Sequence, residues 1–313
     1  MDLVHIRVVV PPVLTRSAVD LLTGDEQVLN LVIVSSAHVT GSDAIDCDVP
    51  RGAANGLLDD LRELGVDRTG SIAVDGVGLM FSRRAEQIEA GQPRALARVP
   101  LWATVEARIR AEGTYVPSFY LFLVIAGLIG AVGILTNSQI LIVAAMVVGP
   151  EYSAITSIAL GLDRHDRRPV REGTRALTAG FLLAIGVTLG FAALARGAGL
   201  QSKAFDLGLR PVSHLIDTPD FFSVVVAFLA GVVGIVSLTE GRGSALLGVF
   251  ISVTTIPAAS DIAVSLAFAD WRQARGSLLQ LLLNVAVLVV VGLFTLRLQR
   301  RLWRRATRFS ALP

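Results

Sequence analysis

Long apolar segments constrain the fold of this chain more than any other feature of its sequence. Six of them follow one another from residue 116 onward, at residues 116–136, 139–162, 175–194, 221–238, 243–269 and 278–298. A helix needs about 20 apolar residues to cross the hydrocarbon core of a bilayer, and each segment is near that length. With 53% hydrophobic and only 17% charged residues, the sequence predicts a polytopic α-helical membrane protein and excludes an ordinary soluble globule.

The positions of the arginines predict how the six spans are oriented. Five arginines lie within residues 163–175 and six more within residues 297–313, and a path through six spans puts both stretches on the same side as the N-terminus. Because cytoplasmic loops are enriched in Lys and Arg, we expect both termini in the cytoplasm and the protein in the plasma (inner) membrane. The basic surplus lies beside apolar runs, which favours membrane lipids, and not nucleic acid, as partners.

Before the first span, the sequence pattern is that of a small α+β domain. It predicts a strand at 5–10, a helix at 16–22, strands at 28–34 and 43–48, a helix from 50 to 65 and a strand at 71–79. The order βαββαβ is typical of a ferredoxin-like sandwich, in which two helices cover one face of a four-stranded antiparallel sheet. Asp48 is expected to cap the second helix, with Pro50 in its first turn and Gly65 at its end.

The sequence thus predicts four regions along the chain. They are a ferredoxin-like cytoplasmic domain at 1–80, an amphipathic helical linker at 81–115, a six-span membrane domain at 116–298 and a basic cytoplasmic tail at 299–313. The apolar stripe of the linker suits either the lipid headgroup boundary or packing against its own domain.

An internal repeat relates the two halves of the membrane domain. Residues 150–163 and 257–270 share Pro, Ser, Ile and Asp at identical spacing, and an Ala-Gly-x-x-Gly motif precedes each block, at Ala126 and at Ala230. Two copies of three spans follow, and because three is odd the second copy is inverted. Inverted repeats with Pro-interrupted helices at corresponding positions are typical of a transporter core with a site near the bilayer midplane.

The two Pro blocks also supply a candidate site in the membrane. A proline in mid-span leaves backbone carbonyls without their helical partner, and Glu151 and Asp261 place carboxylates there at a cost of at least about 2.5 kcal/mol each. These acids are candidates for coupling a proton or cation, or for holding a polar ligand. Alternatively, the kinks serve packing and the acids are neutral and hydrogen bonded. The candidate residues are Pro150, Glu151, Ser153, Pro257, Ser260 and Asp261.

A second candidate site lies in the cytoplasmic domain. Its polar residues surround the expected start of the second helix, a place suited to an anion such as a phosphate or carboxylate. The alternative is a network that only caps the helix. The residues are Asp46, Asp48, Arg51 and Asn55.

Several classes of chemistry find no support in the sequence. Cys47 is the single cysteine, so an intramolecular disulfide, a CxxC redox pair and a cysteine-based zinc site are excluded. The sequence contains no P-loop, HExxH or GxSxG motif, and we therefore expect no enzymatic activity, no cofactor and no metal. Gly, Ala and Ser are frequent in the spans, which favours close helix contacts and a homo-oligomer.

Two blocks of the membrane domain resemble a known family. The first begins at Met146, contains Gly149-Pro150 and leaves through Ala159-Leu160-Gly161-Leu162-Asp163; the second runs from Ile256-Pro257 to Asp270-Trp271. Both are similar to blocks of the prokaryotic hydrophobic membrane proteins catalogued as domain of unknown function 389. The likeness covers roughly residues 116–298, and the N-terminal domain resembles one that precedes it in some members. It implies an architecture and no assigned activity, and Glu151 stands where small or apolar residues are the family's pattern.

Two functions remain from the sequence. The first is a membrane transporter or channel-like protein with an inverted-repeat core and a cytoplasmic regulatory domain that binds a small ligand. The alternative is a membrane-anchored sensor of a metabolite, such as a nucleotide, or a scaffold, without transport. Either would have membrane lipids, a second copy of the chain and a small molecule or ion as partners.

Overall fold

The computed structural model describes residues 3–36, 41–78, 80–91, 99–202, 205, 220–240 and 255–310. The chain divides into two compact units. The N-terminal unit comprises Met1–Val105 and Arg300–Pro313, and the membrane unit comprises Glu106–Gln299.

The N-terminal unit is built on one four-stranded antiparallel sheet. Its elements are β1 (Leu3–Val10), α1 (Pro12–Gly24), β2 (Leu29–Val34), β3 (Asp43–Pro50), α2 (Arg51–Glu63), the single turn α3 (Val66–Thr69) and β4 (Ser71–Val77). The strand order is β2-β3-β1-β4, so β1 pairs with both β3 and β4. The sequence pattern located the strands to within two residues, except that residue 79, in the last predicted strand, lies outside the described residues.

One face of the sheet carries the core of this unit. Alternate residues of the central strands, such as Ile6 and Ile45, are fully buried and cluster with Leu61 of α2 and Leu22 of α1, because successive side chains of a strand point to opposite faces of the sheet. Cys47 belongs to this core. Its burial and the neighbouring carboxylates raise the pKa of its thiol to about 12, which makes it a packing residue and not a nucleophile.

The predicted cap of α2 is wrong. The helix begins after Pro50, which has extended backbone angles, and no side chain caps it. Strand β3 continues through Pro50, which pairs with Leu3. Asp48 is therefore a strand residue, and its side chain points away from α1 and α2. There it accepts a 2.7 Å hydrogen bond from Nδ2 of Asn30. Gly65 does follow the helix, with a φ of +78° that favours glycine.

Two helices follow the sheet, α4 (Arg83–Gly91) and α5 (Trp102–Glu112). The apolar residues Val99, Leu101 and Val105 are buried, and Leu101 belongs to the core cluster of the N-terminal unit. Of the two readings of the linker, these described residues favour packing within the protein over contact with lipid headgroups.

The membrane unit consists of α-helices. They are α6 (Pro117–Leu135), α7 (Gln139–Val148), α8 (Glu151–Arg164), α9 (Arg167–Gly197), α10 (Phe221–Glu240), α11 (Thr255–Ala267) and α12 (Trp271–Ser310), the last of which extends beyond the unit. Helices α6, α9, α10 and α12 are long and apolar enough to cross a membrane, and α7 with α8 adds a fifth if the bent pair is one span. Four or five such helices within the described residues indicate a membrane-embedded protein.

The two predicted breaks differ in how much of them is described. Helices α7 and α8 meet at an angle of 49° across Gly149 and Pro150, where the proline was expected to interrupt the span. Helix α11 is a shorter apolar helix that is described from Thr255 onward and contains Pro257. Residues 243–254 of the predicted fifth span lie outside the described residues.

Candidate functional site

The two Pro-containing segments meet inside the membrane unit. The hydroxyl of Thr255 donates a 2.6 Å hydrogen bond to Oε1 of Glu151, and Glu151 and Thr255 are 5% and 0% exposed. Gly149 permits this approach, because a Cβ there would lie 2.7 Å from Cγ1 of Ile256 and would collide with the Glu151 carboxylate. The lack of a side chain at Gly149 therefore allows the segment around Pro150 to pack closely against the segment around Pro257.

The second oxygen of Glu151 is unsatisfied. Oε2 is buried and has no hydrogen-bond partner among the described residues. A buried carboxylate oxygen without a partner is costly, and a proton on that oxygen or a bound cation would remove the cost. Glu151 is thus the residue of this site whose carboxylate has an oxygen available to a ligand.

Asp261 lies in a separate polar cluster. It is fully buried and accepts hydrogen bonds from Oγ of Ser277 at 2.6 Å, Nε2 of Gln273 at 3.3 Å and Oγ of Ser265 at 3.5 Å. Ser277 and Gln273 come from α12. Because Asp261 is six residues beyond Thr255 in α11, the two lie about 9 Å apart along the helix axis.

Helix α12 carries a buried polar stripe. Its side chains are between 0% and 6% exposed, at successive spacings of four, three and four residues, so they share one helix face: Gln273, Ser277, Gln280 and Asn284. Eleven residues of helix cover about 16 Å, roughly half of the hydrocarbon core. This stripe was not predicted from the sequence, although amides and a serine at helical spacing in an apolar run indicate one.

The two predicted serines hold the backbone. Ser153 donates to the carbonyl of Pro150 at 2.9 Å. Ser260 lies within hydrogen-bond distance of two carbonyls, of Ile256 at 3.0 Å and of Gly127 in α6 at 3.1 Å. Ser153 and Ser260 therefore satisfy carbonyls near the prolines, as the packing alternative expected of them, whereas Glu151 keeps one buried oxygen without a described partner and Asp261 accepts hydrogen bonds from three side chains.

The predicted cluster in the N-terminal unit is not assembled. Asp46 and Asp48 lie on the second face of the sheet, opposite α1 and α2, because they alternate with the core residues of β3. We call this second face the open face; α4 packs against one end of it, where Ala85 clusters with Leu3 and Leu29. Asn55 lies on α2, across the sheet from them, where its Nδ2 donates to the carbonyl of Pro100 and its Oδ1 accepts from the N–H of Trp102. Arg51 begins α2. The four residues therefore do not surround one helix start.

The open face has a different polar group. Nε of Arg7 donates to Asp46 at 2.8 Å, and Nδ1 of His5 lies 2.8 Å from Asp48. These are the directly opposed pairs of the β1–β3 register. The hydrogen bond and charge of Asp46 raise the pKa of Arg7. The period-two alternation of β1 could have identified His5 and Arg7 as the partners.

Comparison with known proteins agrees with the resemblance seen in the sequence. Residues 146–290 match the model of a family described as a domain of unknown function, DUF389. Both Pro blocks that carried the resemblance lie within this match, which confirms it. An uncharacterized protein of Methanocaldococcus jannaschii is similar, with 20% identity over 232 residues that cover 73% of this chain and 68% of the relative. No solved structure matches the chain.

Proposed function

We propose that this chain is a membrane transporter whose two inverted three-span repeats form a polar site where α8 and α11 begin. The hydrogen bond between Thr255 and Glu151 carries the proposal, because it joins the two Pro-containing segments at a buried carboxylate whose second oxygen has no partner among the described residues. Helices that begin inside a membrane protein, with polar groups at their starts, are a common arrangement for binding solutes and coupling ions.

Equivalent packing of the halves supports the repeat. A Cβ on Gly127 of α6 would contact Ala184 of α9 at 3.7 Å, and one on Gly231 of α10 would contact Val291 of α12 at 2.9 Å. Ala184 and Val291 are related by the same sequence offset as the two prolines, and the glycines by the offset of the Ala-Gly-x-x-Gly motifs. The first helix of each repeat thus packs on the third at corresponding residues.

The directions of α8 and α11 support the inversion. Helix α8 ends at Arg164, and two residues separate it from the start of α9. The carbonyl of Ala267, the last residue of α11, accepts a 2.6 Å hydrogen bond from Nη1 of Arg196, near the far end of α9. Since α8 and α11 end at opposite ends of one membrane helix, they run in opposite directions from a shared central start.

Basic residues support the proposed orientation. Arg297 of α12 pairs with Asp163 of α8, with Nε 3.2 Å from the carboxylate. This contact joins the arginine-rich end of α12 to the arginine-rich segment after α8. One basic side agrees with both termini in the cytoplasm and the chain in the plasma membrane.

A flux assay with matched variants tests transport. The full chain is reconstituted in liposomes that contain the pH dye pyranine, and proton flux is followed as amino acids, organic acids and sodium are added outside. We expect one of these additions to start a protein-dependent flux that Glu151→Gln removes. Glu112→Gln is the control, because Glu112 forms an i,i+4 pair with Arg108 that is about 40% exposed on either side and is worth little. Vesicles that stay as tight as empty ones under every addition, or an equal loss in both variants, would contradict transport through this site.

The N-terminal unit favours a regulatory role beside this one. Its strand order, β2-β3-β1-β4, supports a ferredoxin-like sandwich, and the ion pair of Arg7 with Asp46 gives its open face polar groups for a small ligand. If the unit regulates, a ligand that raises the melting temperature of the full chain will lose that effect in Arg7→Gln and will change the flux. A ligand that binds in this way without changing any flux would instead favour a sensor without transport.

A further inference from the structure

A cleft of about 560 Å³ lies in the membrane unit where α8 ends and α9 begins. Its lining combines basic and apolar side chains from the two helices and the turn between them. They include Leu162, Asp166, Arg167, Val170, Arg171 and Arg175.

Three arginines of this lining have uncompensated charge. Arg167, Arg171 and Arg175 are exposed and follow one another at i, i+4 and i+8 on one face of α9. None of them makes an ion pair or a side-chain hydrogen bond within the described part of the chain. Their neighbours differ, since Arg164 pairs with Glu106 and Arg168 pairs with Glu172 at 2.9 Å. Free positive charge is therefore concentrated on the face that lines the cleft.

The cleft lies at the level expected for the lipid headgroups. Residues 176–195 carry no ionisable side chain and extend over about 30 Å of helix, the thickness of the hydrocarbon core. Arg175 directly precedes this stretch, and Arg171 and Arg167 lie about 6 and 12 Å further out along the axis. Leu162, 39% exposed, and Val170 give the same cleft apolar surface.

We propose that this cleft binds an anionic phospholipid. Arg171 and Arg175 hold the phosphate, because a guanidinium donates paired hydrogen bonds to phosphate oxygens, and Leu162 and Val170 contact the apolar part of the lipid. Asp166, the acid of the lining, accepts a 3.0 Å hydrogen bond from the N–H of Arg168 as the cap of α9, and three arginines outweigh its charge. The cleft is distinct from the buried site at Glu151 and does not depend on transport.

Lipid binding by the purified full chain tests this proposal. Fluorescent phosphatidylglycerol is titrated into the protein in a neutral detergent, with fluorescent phosphatidylcholine and inorganic phosphate as the other two arms. We expect saturable binding of phosphatidylglycerol that neither the zwitterionic lipid nor millimolar phosphate displaces. Arg171→Gln will weaken it about five-fold, the share of one basic residue near an anionic membrane surface, and Arg171→Gln with Arg175→Gln will weaken it further.

Arg168→Gln is the matched control. It removes the same charge one turn away, from an arginine already paired with Glu172. We expect binding to stay within two-fold of the wild type, which is less than the change of about five-fold expected for one basic residue that contacts the lipid. Equal weakening in Arg168→Gln and Arg171→Gln would mean diffuse surface attraction and would overturn the site. Displacement by inorganic phosphate would show a site for a soluble anion and would overturn the lipid assignment, as would unchanged binding in the double variant. Melting temperatures of all variants establish that each is folded.

Discussion

The hydroxyl of Thr255 donates a hydrogen bond to the carboxylate of Glu151, 104 positions away in the sequence, at 2.6 Å. Thr255 lies two residues before Pro257 and Glu151 one residue after Pro150, so the contact joins the two Pro-containing segments of the membrane unit. Each side chain reduces the cost of burying the other: the hydroxyl satisfies one carboxylate oxygen, and the carboxylate gives the hydroxyl an acceptor.

Removing the Thr255 hydroxyl will destabilise the chain. Thr255→Val keeps the shape of the side chain but leaves Oε1 of Glu151 without its described donor, and a buried acceptor left without its partner costs about 1–3 kcal/mol. The melting temperature of the detergent-solubilised protein will fall by several degrees. The control is Thr136→Val, at an exposed hydroxyl that bonds only its own helix. Equal melting temperatures for Thr255→Val and the wild type would show that the hydrogen bond does not contribute to the stability of the protein.

A methyl group at Gly149 will also be costly. Its backbone angles, φ −66° and ψ 129°, suit alanine, so the cost comes from the contact with Ile256 at 2.7 Å and the collision with Glu151. Overpacking of this kind costs about 1–3 kcal/mol. Gly186→Ala in α9 is the matched control, because a Cβ there meets nothing within 4 Å and helix propensity favours alanine. Thermal unfolding will show opposite signs for the two variants, and equal shifts would refute the contact argument.

The sequence predicted the elements of this fold better than the contacts of its site. The period of the apolar residues located the strands, and the length of the apolar segments located four membrane helices. Both signals are local, because they depend on the burial of neighbouring residues along the chain. Asp48 failed as a cap because pairing of Pro50 with Leu3 extended β3, a long-range effect that a local cap signal does not contain. The pairing of Thr255 with Glu151 and the amides of α12 were missed for the same reason: the sequence does not state which buried helix faces lie opposite each other.

Stability of the N-terminal unit will depend on pH through Asp43. Its carboxylate accepts hydrogen bonds from the Thr15 hydroxyl at 2.6 Å and the Ser36 N–H at 2.8 Å, and these lower its pKa. A lowered folded-state pKa means that the stabilisation is present above the unfolded value of about 3.9 and is lost as pH falls toward the folded value.

Thr15→Val will therefore weaken this unit at neutral pH and much less in acid. Hydrogen exchange of the β3 amides, compared between variant and wild type at each pH, measures the effect without interference from the pH dependence of exchange itself. The difference will shrink as Asp43 becomes protonated in both proteins. A difference that is constant from pH 7 to about pH 3 would assign the effect of Thr15 to packing and not to the carboxylate.

Cys47 will report opening of the N-terminal unit. The thiol is fully buried in the core of the sheet, and burial followed by the charges of Asp48 and Asp46 raises its pKa to about 12, so at neutral pH it is both inaccessible and protonated. A maleimide reacts with the thiolate and will label the folded chain only as fast as this core opens. Because the chain has one cysteine, mass spectrometry reads the labelled fraction directly. We expect almost no labelling at pH 7 over the time that labels the denatured chain completely, and faster labelling in Leu61→Ala, which leaves a cavity in the same core. Rapid labelling of the wild type under native conditions would contradict the burial of Cys47.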